Sequence, residues 1–188
     1  MIGAITAGLF SVAGPPAPTL SYDSIATTTV GAGGQSSITF SSIPSTYKHL
    51  QIRGIGRATS GSQLAGFVTF NGDSGANYSF HQLYGSGVAV GNNGGTSTNG
   101  IYYQKISGST DLANAFGAVV IDILDYSNTS KNKTLRYLGG SDINGGSGWI
   151  FFGSGAWYNT AAISSITIVV DTSNFAQYSQ LALYGIKG

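Results

Sequence analysis

Cysteine is absent from the chain, so disulfides, thiolate metal sites and a cysteine nucleophile are all excluded. Glutamate is absent too: all seven acidic residues are aspartate. Charged residues of every kind reach only 8%, against roughly 25% in ordinary globular proteins. Exposed helices lean on Glu, Lys, Arg and Ala, so this shortage disfavours helix. The formal net charge is +1, and the eight Lys and Arg residues are scattered, which leaves no field to draw in a phosphate backbone. Nucleic acid is therefore not an expected partner. A surface with so little charge suits burial against other protein, as when many copies pack together.

In place of charge the chain carries 29 glycines and a wealth of Ser, Thr, Asn, Tyr and Phe, a composition of short strands and turns. At 188 residues it suits one domain with an extension. Met1–Pro18 is that extension. It has no charged side chain, and Ile2, Ile5, Leu9 and Val12 share one short apolar helical face, with Phe10 beside it. Gly14, Pro15, Pro16 and Pro18 then enforce a stiff, extended connector. The run lacks the basic start of a secretory signal and falls short of the ~20 apolar residues of a membrane span, so no membrane is expected. It reads as an anchoring arm, with Ile2, Ile5, Leu9, Phe10 and Val12 as assembly residues held by a neighbouring subunit.

Residues 19–188 read as a strand-rich domain. Phe67–Phe70 and Tyr78–Tyr84 flank the turn-forming Asn71–Asn77, a pattern that predicts a β-hairpin with Tyr78, Phe80 and Tyr84 on its buried face. Ser36–Ser42 places Ile38 and Phe40 on one face, and Lys48–Arg57 places Leu50 and Ile52 inward with a mostly polar outer face. Val88–Gly100, with no apolar residue after Val90, predicts a long loop. Further strands are expected at Ile101–Ile106, at Phe116–Tyr126 as a central strand, and at Thr134–Leu138, Trp149–Tyr158, Ile163–Asp171 and Ser179–Ile186. Such close spacing leaves no room for crossover helices. The expected fold is all-β, an antiparallel two-sheet jelly-roll sandwich preceded by an extended or short-helical arm.

No catalytic constellation emerges. Asp122 and Asp125 are the closest acids, but an odd separation on one strand points them to opposite faces. Ser154 lies in a plain Gly-Ser-Gly rather than a nucleophile elbow. Asp73, with Asn71, Ser74 and Asn77, has the oxygen-rich look of a calcium loop, yet one carboxylate is too few and a Gly/Asp turn explains the same letters. His49 and His81 are lone histidines without zinc spacing. No enzyme, metal or cofactor is expected. Trp149 and Trp157 share parity and would line one face about 26 Å apart at ~3.3 Å per residue, so with Tyr158 they are candidates for stacking on sugars. Glycines 153 and 155 between them could bend the strand and undo the alignment.

Several phrases carry a resemblance: Ile43-Pro44-Ser45-Thr46-Tyr47-Lys48-His49-Leu50, then Phe70-Asn71-Gly72-Asp73-Ser74-Gly75-Ala76-Asn77-Tyr78-Ser79, then Trp157 to Ile166, and the closing Leu183-Tyr184-Gly185-Ile186. The chain resembles a β-sandwich domain that recurs in virion structural proteins of tailed bacteriophages, in head-surface and tail-fibre components alike. That resemblance spans most of Thr19–Gly188, leaves out the arm and implies no catalytic residues. The expectation is an exterior head decoration or cement subunit, assembled in the host bacterial cytoplasm. Its expected partners are copies of itself, as a homotrimer, and the major capsid or other virion proteins. The alternative expectation is a fibre or receptor-binding module for host surface glycan.

Overall fold

The structure is a computed structural model that describes residues 21–144 and 148–188. The Met1–Pro18 arm, with Ile2, Ile5, Leu9, Phe10 and Val12, lies outside the described residues. Twelve strands form in order: β1 Tyr22–Thr29, β2 Ser37–Phe40, β3 His49–Gly56, β4 Leu64–Phe70, β5 Tyr78–Ser86, β6 Val90–Thr98, β7 Ile101–Ile106, β8 Gly117–Leu124, β9 Lys133–Ser141, β10 Trp149–Trp157, β11 Ile166–Val170 and β12 Gln180–Ile186. They make one eight-stranded sheet, β1-β12-β3-β8-β9-β10-β5-β6, and one four-stranded sheet, β2-β11-β4-β7. Every pairing within these sheets is antiparallel. Among the described residues there is no helix.

The jelly roll is visible once β5, β6, β9 and β10 are set aside. The remaining order is β1-β12-β3-β8 in one sheet and β2-β11-β4-β7 in the other, the wrapping of two Greek keys. Strands β5 and β6 are inserted between β4 and β7, and β9 and β10 between β8 and β11. Both insertions extend the larger sheet on its β8 side, where β7 crosses over β8, β9, β10 and β5.

The core lies between the sheets. Ile38, Phe40, Val68, Ile166 and Ile168 face Leu50, Ile52, Ile121, Ile123 and Leu183, all buried, as alternation on half-buried strands requires. Toward the extended side the core becomes aromatic: Phe80 stacks on Tyr102 at 5.5 Å and Trp149 on Phe151 at 5.6 Å. Lys133 is a buried cation whose Nζ donates to the carbonyls of Asn128, Lys131 and Thr160 at 2.6, 2.9 and 2.8 Å, which ties the turn before β9 to the segment after β10.

Two expectations are corrected. Phe67–Tyr84 is not a hairpin, because β4 belongs to the small sheet and β5 to the large one. Asn71–Asn77 is a corner that carries the chain across the core. Asn71 (φ +53°) and Gly72 (φ +70°) turn it, and the Tyr78 hydroxyl donates to the Asp73 carbonyl at 2.9 Å. Phe70 and Tyr78 both face the core, 6.3 Å apart, so their hydrophobicity drives sheet packing rather than strand pairing. Val88–Gly100 is not a loop either: most of it is β6, paired along β5 at the edge of the large sheet. No opposing sheet covers β6, so it needs no apolar residues to hold its place.

Candidate interaction surface

The outer face of the large sheet, turned away from the core, divides into two zones by strand register. Near β3 and β8 it is polar. Gln51 Nε2 donates to Asp122 Oδ1 at 2.6 Å, Arg53 Nε donates to Gln51 Oε1 at 2.5 Å, and Arg136 Nε reaches Asp122 Oδ2 at 3.3 Å. Arg53 also lies over the rings of Tyr22 and Tyr184, at 5.7 and 6.0 Å.

Beyond this network the same face becomes apolar. Val120 pairs with Leu138, Leu138 with Phe152, and Phe152 with Leu83, so four apolar side chains run straight across β8, β9, β10 and β5. The adjacent row reads Ala118, Gly140, Ile150, Gly85 and Val90. Leu138, Ile150, Phe152 and Leu83 are 52–61% exposed, and Val90 is 88% exposed. Contiguous exposure of this kind is atypical of a soluble monomer, which scatters its exposed hydrophobics singly. Gly140 and Gly85 flank Ile150 with no side chain of their own. A groove of about 750 Å³, lined by Ala118, Val120, Leu138, Gly140, Ile150 and Gly85, lies along this row. Among the residues lining it, Asp142 alone carries a charge.

A second groove, also about 750 Å³, lies on the other side of Phe152, with His81, Asn92, Asn93, Arg136 and Ser154 around it. There the exposed ring of Phe152 stands among several hydrogen-bonding side chains.

The sugar-stacking candidates fall elsewhere. Trp149 and Trp157 do share a face, but it is the inner one. Trp157 is 1% exposed, packed on Phe70 at 5.7 Å and Tyr78 at 6.3 Å, so no sugar can reach its ring. Trp149 is partly buried against Tyr84, Phe151 and the Lys105 ammonium, the last 3.9 Å from the ring centroid. Tyr158 is exposed and shares a hydrogen bond with Ser79 Oγ at 2.8 Å. The three residues do not form one platform. Parity showed that the tryptophans share a face without showing which face the second sheet covers.

The other candidates have local structural partners. Both Asp73 carboxylate oxygens accept bonds from protein donors: Trp157 Nε1 at 2.7 Å, the Gly75 amide at 2.8 Å and Asn77 Nδ2 at 3.0 Å. These donors, the indole first, hold the Asp73 carboxyl below the usual carboxylate range. An aspartate so engaged caps a turn. Asp122 belongs to the polar network above. Asp125, past the end of β8, is held by Lys131 and Lys48, which depress its pKa to about 2. The two acids thus have separate partners. His49 Nδ1 accepts the Asp125 amide at 3.0 Å, and no group of three or more metal-ligating side chains occurs among the described residues.

The apolar band went unread in the sequence, although a signal was there. Ile150-Phe151-Phe152 places apolar side chains on both parities of one strand, which requires two apolar faces. No family model, curated protein or solved structure matches the chain.

Proposed function

We propose that the chain is a non-enzymatic structural subunit of a tailed-phage virion, an exterior head decoration or cement protein. The apolar band of Val120, Leu138, Ile150, Phe152 and Leu83 carries the reading. An isolated sheet face of this kind lowers its free energy by leaving water, at about 25 cal/mol per Å² of apolar area. The near-neutral composition and the resemblance to virion β-sandwich domains support the same reading. A homotrimer with additional contacts to the major capsid protein or another virion protein is the assembly we favour, since threefold clusters suit positions on a capsid surface.

The test is incorporation. Full-length Leu138→Asp should fold and stay soluble yet be missing from purified particles. Deletion of Met1–Ala17 should have the same outcome. Wild-type incorporation of both variants would sink the proposal.

The groove beside Phe152 supports a second reading, a fibre or receptor-binding module for host surface glycan. It replaces the tryptophans with Phe152 as the stacking ring and His81, Asn93 and Arg136 as hydrogen-bonding groups. Saccharide binding that is lost in Asn93→Ala and kept in Leu138→Asp would favour this reading, because Leu138 lies outside that groove. A blank glycan array would remove it.

A further inference from the structure

We infer that the apolar band is the docking site for the Met1–Pro18 segment of a neighbouring copy, an inference that rests on reading the band as an interface. Composition supplies the first argument. The segment has no charged side chain and offers Ile2, Ile5, Leu9, Phe10 and Val12, while the band offers exposed Leu83, Leu138, Ile150 and Phe152 and a groove lined by Gly85, Gly140, Leu138 and Ile150. Size supplies the second. Ile2–Val12 spans about 16 Å as a helix, and the band from β8 to β6 crosses four strand spacings, about 19 Å.

Topology decides between the chain's own segment and a neighbour's. β1 is the edge strand opposite β6, five positions from β10 in the sheet, or about 24 Å. In register, Thr27 lies level with Ala182, Arg53 and Val120, that is, with the first row of the band. Tyr22 is level with Ile186, four residues along β12 from Ala182, and so about 13 Å nearer the other end of the sheet. Because β1 runs from Tyr22 toward the level of the band, its N-terminal end faces away from it. A segment reaching its own band would have to reverse direction just before β1. Pro15, Pro16 and Pro18, which favour a stiff extended course, lie at that point. The same stiffness suits an arm that leaves its own subunit and lies on the next. Head-to-tail contacts of this kind close into rings where the rotation between subunits closes, and otherwise run on as open filaments.

Two full-length variants test it, Phe10→Asp in the segment and Phe152→Asp on the band, with masses measured by sedimentation equilibrium. Wild type should be a multimer and each variant alone a monomer. An equimolar mixture should double the monomer mass, because the intact segment of the Phe152→Asp copy can dock on the intact band of the Phe10→Asp copy. Circular dichroism checks folding, and Leu138→Asp replaces Phe152→Asp should that variant fail to fold. A monomeric wild type, a Phe10→Asp variant that keeps the wild-type mass, or a mixture that stays monomeric would each overturn the inference. These readouts are masses in solution, so they fail independently of the virion assignment, which incorporation tests.

Discussion

At the scale of single residues, Trp157 and Asp73 join the two sheets at the corner between β4 and β5. The indole stacks on Tyr78 at an interplanar angle of 15° and donates from Nε1 to the Asp73 carboxylate at 2.7 Å. Trp157→Phe keeps an aromatic ring but leaves a small void and removes a charge-assisted hydrogen bond, a combined loss of about 2–4 kcal/mol by urea unfolding. The pH dependence follows from the carboxylate. Its folded pKa lies below the unfolded value, so its contribution is complete above the unfolded carboxylate range and disappears as pH falls through the depressed folded value. Asp73→Asn should therefore lower stability at neutral pH and flatten the acid limb of a stability-versus-pH curve. An acid limb as steep as that of the wild type would refute this role. The letters around Asp73 disclosed a turn but not its tie to Trp157, a partner 84 positions away that only the packing of the sheets brings near.

Among elements, β10 shows both what alternation discloses and what it hides. Phe151, Gly153, Gly155 and Trp157 face inward and are buried, while Ile150, Phe152 and Ser154 face outward and are exposed. Gly155 lies directly under Ile101, and a Cβ there would sit 2.4 Å from Ile101 Cγ2. Gly155→Ala should cost about 1–3 kcal/mol through overpacking, read as a lower urea midpoint. Outward substitutions should behave oppositely: Ile150→Lys should shift folding stability by no more than about 0.5 kcal/mol while sharply reducing self-association. The inward and outward parities of β2 and β3 were legible because one apolar set, Ile38 and Phe40 or Leu50 and Ile52, alternates with a more polar one. Two elements were not legible. The β4–β5 corner has a hairpin's letters, since turn residues between apolar runs also serve a chain changing sheets. The edge strand β6 has a loop's letters, because backbone pairing to β5 demands no apolar side chain.

For the whole molecule, the eight-stranded sheet is twice as wide as the sheet that covers it, and β5, β6, β9 and β10 produce the difference. Those four strands also carry most of the apolar band, so the additions to the jelly roll and the proposed assembly surface are largely the same part of the chain. Fold class was readable from the lack of helix-forming charge and the density of turns. The surface was not, because its defining residues come from β8, β9, β10, β5 and β6, strands that the sequence separates and the register aligns. The most direct measurement is electron cryo-microscopy of the purified virion. The account predicts subunits on the exterior with Leu138, Ile150 and Phe152 covered by protein. Subunits in place with that band facing open solvent, touching no copy of themselves, would contradict it.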